Sequence, residues 1–284
     1  MGEEFPSPIP MRAADWALAA TWAALLTAGA AKGMAAAPSY TASSIVNAAT
    51  NEPGVIVPNG LATIYGFELS YVTRALSAPD VRGNALPQSL PGTGVQVLVS
   101  GLLAHPVYVS PGQINFLVPS ILRAGNATVT VVRSGVAGNA ANVRVAETQP
   151  GLFPAGQGWA AAAHADGRAV TRESPARAEE WVVLYATGLG RTSPAVGLGE
   201  IARGAAMVER FEEFRVVIGG RTVSEGIGYA GVTPGYAGLY QINLRLPEWT
   251  GPDPEIRLMQ GDALSPAGVR LAVGTGPPPD ASER

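Results

Sequence analysis

The feature that most constrains this chain is a heptapeptide that occurs twice. Gln113-Ile114-Asn115-Phe116-Leu117-Val118-Pro119 returns as Gln241-Ile242-Asn243-Leu244-Arg245-Leu246-Pro247, identical at four of seven positions. Upstream of each copy lies a second matching run, Thr63-Ile64-Tyr65-Gly66-Phe67-Glu68-Leu69 and Val183-Leu184-Tyr185-Ala186-Thr187-Gly188-Leu189. Two landmarks repeated in the same order imply two copies of one structural unit. The tyrosines are offset by 120 residues and the glutamines by 128, so the second copy carries about eight additional residues between them, an insertion that belongs in a loop.

The repeated segment reads as a turn feeding a strand. Pro111-Gly112 and Pro234-Gly235 supply turn chemistry, proline presetting φ and glycine accepting φ above zero. Ile114, Phe116 and Val118 then alternate toward a core, and Pro119 ends the ladder because it has no N–H to donate. Gln113 and Asn115 face the other way and are expected to bond neighbouring backbone across the turn. The same period of two recurs at Val95, Val97 and Val99, at Val129 and Val131, at Val143 and Val145, at Ile256 and Leu258, and at Val269, Leu271 and Val273. Only 14% of the 284 residues are charged, while glycine and proline number 35 and 24, so turns are frequent and long amphipathic helices scarce.

These patterns predict an all-β protein of two tandem immunoglobulin-like β-sandwich domains, preceded by an N-terminal hydrophobic helix that serves as a signal peptide. The expected divisions are a leader over 1–37, a first sandwich over 38–148, a second over 149–274 and a disordered tail over 275–284, where Gly276-Pro277-Pro278-Pro279 cannot build a core. Pro150-Gly151 marks the break between the sandwiches.

The leader rests on Trp16 to Ala31, an uncharged run of 16 residues, short of the ~20 that span a bilayer. Ala28-Gly29-Ala30 and Met34-Ala35-Ala36 are alternative cleavage sites, giving a mature start near residue 31 or 37. Glu3, Glu4 and Asp15 oppose the usual basic flank, and initiation at Met11 largely removes the conflict. The rival readings are an uncleaved membrane anchor and an Ala-rich core helix. Export to the cell envelope or medium is the expectation, with membrane contact only through an uncleaved leader.

The landmarks together resemble a known family. Ile45-Val46-Asn47-Ala48-Ala49, Tyr108-Val109-Ser110-Pro111-Gly112-Gln113-Ile114-Asn115-Phe116, Pro150-Gly151-Leu152-Phe153, Leu184-Tyr185-Ala186-Thr187-Gly188-Leu189-Gly190 and Gly238-Leu239-Tyr240-Gln241-Ile242-Asn243 follow one another as in the uncharacterised C-terminal domain family first described from Solibacter and abundant in Acidobacteria. The resemblance runs from about Ile45 to Val273. It implies paired immunoglobulin-like modules on exported proteins, and no catalytic residues. Trp159 to His164 depart from the family pattern, which has a Gly-Gln-Ala-rich stretch followed by Asn.

Chemistry is sparse. Cysteine is absent, excluding disulfides, thiolate nucleophiles and Cys-based metal sites. A formal net charge of −3 with no Lys/Arg cluster gives no footprint for nucleic acid. Any His-based site must use His105, at a strand start before Pro106, or His164, whose companion Asp166 lies in the hairpin-turn dipeptide Asp166-Gly167. Glu179-Glu180 and Glu212-Glu213 are adjacent pairs, and on a strand adjacent residues point to opposite faces, so neither can flank one glycosidic bond. Aromatic residues are the better binding candidates: Tyr236, Tyr240 and Trp249 would form a stacking platform if exposed together, and would otherwise cap the core and plug the sandwich end.

The expected function is a non-catalytic structural or interaction module of the cell surface, with no cofactor or metal and with an extracellular glycan or surface protein as partner. The alternative is a carbohydrate-binding module using Tyr236, Tyr240 and Trp249, and behind it a hydrolase using His164 or a carboxylate pair.

Overall fold

The computed structural model describes residues 36–156 and 158–275. The expected leader thus falls almost wholly outside the described residues, as does the tail beyond Thr275. No helix among the described residues is long and apolar enough to cross a membrane.

The chain is all-β. In the first unit one sheet runs in the order Ile45–Asn47, Leu61–Tyr65, Gln113–Leu117, His105–Val109 and Arg74–Ala75. The facing sheet runs Val55–Ile56, Ala141–Val145, Gly125–Arg133, Val95–Val99 and Leu102–Leu103. All pairings are antiparallel except Ala141–Val145 with Val55–Ile56, which are parallel. Named as in an immunoglobulin domain, the order is A-B-E-D, with the short Arg74–Ala75 strand added beside D, against A′-G-F-C-C′, so the topology identifies the fold without reference to composition. Ile64, Ile114 and Phe116 from the first sheet meet Val97, Val129, Val131 and Val143 from the second in one buried core.

The second unit repeats the plan. Gly151–Leu152, Trp181–Thr187, Tyr240–Arg245, Ile227–Val232, Ala206–Val208 and Thr192–Ser193 form one sheet, to which Ala162–His164 adds beside Trp181–Thr187. Arg221–Val223, Phe214–Ile218, Ile256–Gln260 and Ala263–Leu264 form the other. Leu184, Ile242 and Leu244 face Val216, Ile218, Ile256 and Leu258 across its core. The first core ends at Val145 and the second begins at Leu152.

The sequence repeat has a structural meaning. Its two landmarks are the central antiparallel pair of each unit, in the same register: Tyr65 opposes Gln113 and Thr63 opposes Asn115 in the first, Tyr185 opposes Gln241 and Val183 opposes Asn243 in the second. The amides do not bond backbone across the turn as expected. Gln113 Nε2 donates to Asn115 Oδ1 at 2.8 Å, and Gln241 Nε2 to Asn243 Oδ1 at 3.0 Å, because residues two apart on a strand share a face and reach each other directly. The strands also stop before the landmark runs do, ending at Tyr65 and Thr187, each just before a glycine. At Gly66 an added Cβ would lie 2.4 Å from the Ser39 carbonyl, and at Gly188 2.1 Å from that of Gln149.

The two sandwiches dock on each other. Leu61, Leu117, Leu86 and Val107 of the first enclose Ala237 and Ile201 of the second. Thr187 donates its hydroxyl proton to the Gly238 carbonyl and accepts from the Leu61 N–H, both at 2.8 Å, joining the central strand of one unit to that of the other. Asn47 Nδ2 donates to the Gln149 carbonyl at 3.0 Å, and Arg191 Nη2 to that of Leu122 at 2.8 Å. Buried apolar contact and paired backbone groups thus run along one seam between the two units.

Candidate functional site

Two of the three aromatic residues that the sequence singled out are buried, one of them at the seam. Tyr240 is fully buried: its hydroxyl donates to the Gly190 carbonyl and accepts from Asn59 Nδ2 of the first sandwich at 3.2 Å. Burial raises its pKa above the usual tyrosine range. Tyr236 is buried next to Ala237 at the interface. Trp249 alone is exposed, at 42%, with the Arg221 guanidinium 4.2 Å from its ring centre. The three rings therefore form no common platform. Tyr240 bonds across the joint between the units, a role that a single-module reading of the loop could not contain.

Both histidines are structural ties. His105 is buried at the seam, where its Nδ1–H donates to the Leu86 carbonyl at 3.1 Å while the Leu86 N–H donates to that of Gly199 at 2.8 Å. Burial lowers its pKa. His164 lies between Glu180 Oε1, on Nδ1, and Ser174, whose carbonyl and hydroxyl oxygens are 3.1 and 3.2 Å from Nε2. The residue types are those of a Ser-His-acid array, but the serine's own carbonyl competes for Nε2, as befits a clip holding the 171–180 loop to the Ala162–His164 strand. Asp166 pairs with Arg168 instead, in a turn where Gly167 has φ +85°. Glu179 bonds Arg245 while Glu180 bonds His164, so the adjacent carboxylates diverge. Glu212 and Glu213 lie in a 3-10 turn, Phe211–Glu213, rather than on a strand. Among the described residues no three His, Asp or Glu side chains converge as a metal-binding set.

The exposed aromatic surface is on the first sandwich. Along the Leu61–Tyr65 strand, Ala62 and Ile64 enter the core, while Thr63 and Tyr65 lie on the opposite face, Thr63 buried and Tyr65 exposed. The alternation carries on past the strand end: Gly66 lies on the core side and Phe67 outward, about 7 Å beyond Tyr65. Phe67 is 74% exposed, Tyr71 54%, Val72 44% and Tyr65 37%. Leu61, at the other end of the strand, is the residue that meets the second sandwich, so the aromatic end points away from the seam. Next to it on the same sheet face lies the half-buried Gln113 amide, bonded to the buried Asn115, whose Oδ1 also accepts from Thr63 Oγ1 at 3.1 Å.

This surface is held in place from below. Ser39 and Phe67 exchange backbone hydrogen bonds at 2.8 and 3.0 Å, and the Tyr65 hydroxyl donates to Asn51 Oδ1 at 3.1 Å. Arg133, whose side chain is wholly buried, donates from Nη1 to the Glu68 carbonyl and carboxylate and from Nη2 to the Ala36 carbonyl. Its guanidinium carbon sits 3.9 Å from the centre of the Tyr71 ring. A buried cation thus seats an exposed ring and clamps the 66–72 loop. The outward alternation of Tyr65 and Phe67 about Gly66 was the available sequence signal, whereas Arg133, 62 residues from Tyr71, carried none.

Two depressions stand out among the described residues. One, of about 230 Å³, lies between the sandwiches and is lined by residues of both and of the linker, including Pro58, Glu147, Arg191 and Gln260. The other, open and of about 440 Å³, is lined by Ala178, Glu248, Thr250, Pro252 and neighbouring residues.

No family model and no curated protein matches this chain. Among solved structures it is similar to the surface glycan-binding protein SGBP-B of the Bacteroides ovatus mixed-linkage glucan utilization locus, at 13% identity over 78% of this chain and 42% of that one, with a TM-score of 0.32. It is also similar to the surface glycan-binding protein PbSGBP-B of Prevotella bryantii, at 10% identity over 83% and 42%, TM-score 0.26. Tandem Ig repeats of Dlar match at 12% identity over 78% and 92%, TM-score 0.20. The chain spans less than half the length of the two glycan-binding proteins. At these scores the likeness carries no argument about function, and the immunoglobulin-like assignment rests on the strand order above.

Proposed function

We propose that this chain is an exported, non-catalytic binding module that presents the Tyr65, Phe67 and Tyr71 face of its first sandwich to an extracellular polysaccharide. The observation that carries the reading is that three exposed aromatic residues, Tyr65, Phe67 and Tyr71, fall within seven positions at one sheet end, where the half-buried Gln113 amide lies opposite Tyr65. A pyranose has an apolar C–H face that stacks on aromatic rings and hydroxyls that exchange hydrogen bonds with amides, and both features occur together here. Tyr71, seated on Arg133, and Tyr65, tethered to Asn51, lose little conformational entropy on binding. Both histidines are engaged in structural ties, which favours binding over turnover. The N-terminal apolar run and the Solibacter-type resemblance support placement outside the cytoplasm.

The test is cosedimentation of the mature chain with a panel of insoluble plant, fungal and bacterial polysaccharides. At least one should retain it, and the triple variant Tyr65→Ala, Phe67→Ala, Tyr71→Ala should lose retention at least tenfold while its melting temperature changes by only a few degrees. Loss of one stacked ring costs on the order of 1 kcal/mol, so three exceed a tenfold effect. Retention of the triple variant at the wild-type level would refute the assignment, and so would capture of a protein partner by this face with every polysaccharide rejected.

A further inference from the structure

The seam holds a titratable group that the aromatic face does not use. Residues 84–86 of the first sandwich and 199–201 of the second pair edge to edge across the joint. The Leu86 N–H donates to the Gly199 carbonyl at 2.8 Å, the Ile201 N–H to the Asn84 carbonyl at 2.9 Å, and Asn84 Nδ2 to the Ile201 carbonyl at 2.6 Å. The His105 ring touches both sides of this short ladder. Its Nδ1 is 3.1 Å from the Leu86 carbonyl, and Gly199 covers its other edge, where an added Cβ would stand 2.1 Å from Nε2 and 2.2 Å from Cε1.

A carbonyl can only accept, so the ring proton sits on Nδ1. Nε2 is then a bare acceptor, buried and without a hydrogen-bond partner among the described residues. A second proton would put a charged N–H against the Gly199 backbone, where solvent does not reach it. Burial opposes that charge more than the Leu86 and Pro87 carbonyls favour it, which holds the folded pKa below the usual histidine value. Neighbouring charges do not offset this. Arg82 and Glu200, on the flanking segments, are both exposed, and the Glu200 carboxylate lies against Gly197. The adjacent strand Gln113–Leu117 carries no ionisable side chain, the histidine's own strand adds only Tyr108, and no ion pair among the described residues involves His105.

The joint is also a part of the molecule that can open by itself. Each sandwich closes its own core, whereas the apolar seam centres on Leu86, Leu117 and Ala237 alone. Separation strips few apolar contacts and leaves both cores intact. We infer that His105 is an acid-sensitive latch on this joint: protonating its ring releases residues 199–201 from 84–86 and opens the seam, while both sandwiches stay folded. The opened state exposes the ring and takes up the proton first. The latch is therefore closed above the unfolded histidine pKa near ~6.5 and loosens as pH falls below it, the opening equilibrium rising by up to about tenfold per pH unit for one proton.

The chain has no cysteine, so a single introduced thiol reports opening cleanly. Ala237→Cys places one in the seam and Ala230→Cys one in the core of the second sandwich. Labelling of each by dithiodipyridine, which reacts in acid as well as at neutral pH, is followed from about pH 7.5 to about pH 4.5 and divided into the rate for the urea-unfolded chain. The seam thiol should be at least about tenfold less protected than the core thiol. Its protection should fall roughly three- to tenfold per pH unit from pH ~6.5 downward, and in His105→Gln that fall should vanish above pH ~5. Equal protection of the two thiols would overturn the inference, because the joint would then open only with global unfolding. A fall that persists in His105→Gln, or one confined to pH below ~5 where carboxylates titrate, would overturn it too. Should His105→Gln not fold, the pH at which the wild-type fall begins still decides between the histidine and the carboxylates.

Discussion

Replacing Arg133 by methionine should loosen the aromatic face and measurably uncouple Tyr71 from the fold. The guanidinium is wholly buried and makes hydrogen bonds to two carbonyls and to the Glu68 carboxylate, which is about half exposed. On substitution the Glu68 carboxylate can return to water, so no charge is stranded in the interior. The Glu68 and Ala36 carbonyls lose their donor, at about 1–3 kcal/mol each when kept from water. Methionine recovers part of the packing and removes the cost of burying a cation, so the net loss should be about 2–4 kcal/mol. The cation-π contact is a separable part of this. Such contacts are worth ~0.5–1 kcal/mol when exposed and ~2 when desolvated. With the cation buried and the ring half exposed, about 1 kcal/mol is expected for the Arg133–Tyr71 pair. Urea unfolding of the wild type, Arg133→Met, Tyr71→Ala and the double variant, followed on the transition of the first sandwich, gives the coupling as a double-mutant cycle. Additivity within about 0.3 kcal/mol would refute the claim that the buried cation seats the exposed ring.

The seam gives three further expectations. Gly199 has φ +68°, and a Cβ there would stand 2.1–2.7 Å from His105 ring atoms, so Gly199→Ala should cost about 2–4 kcal/mol in thermal unfolding, and an unchanged melting temperature would mean the loop does not seat on His105. Tyr240→Phe strands the Gly190 carbonyl and Asn59 Nδ2 across the joint and should cost about 2–3 kcal/mol in urea unfolding, whereas under 0.5 would show that the hydroxyl carries no load. His105 has a folded pKa below its unfolded value near 6.5, so the unfolded chain binds the extra proton first. Stability should be insensitive to this residue above pH ~6.5 and fall as pH drops below it, and His105→Gln should flatten that slope; an identical pH profile in the variant would contradict the assignment.

Much of the fold was legible because strand physics acts locally. The doubled Gln-Ile-Asn segment marks the E strand of each sandwich, and alternating valines mark the strands across each core. What could not be read was everything set by docking. Tyr240 carries the same residue type whether its hydroxyl meets solvent or the Gly190 carbonyl, and only the approach of the first sandwich decides it. His105 and Gly199 are 94 positions apart, and nothing in either neighbourhood announces their contact. The candidate face lay half in view: outward alternation was written in Tyr65 and Phe67, but their exposure depends on the second unit covering the Leu61 end of the strand and leaving theirs free.

The most direct test of the binding face is hydrogen-deuterium exchange of the full chain, alone and saturated with oligosaccharides cut from whichever polysaccharide retains it. Slowed exchange over residues 65–72 and around Gln113 is the predicted footprint. Protection confined to 236–250, around Tyr236, Tyr240 and Trp249, with 65–72 unchanged, would contradict the account and move the binding surface to the second sandwich.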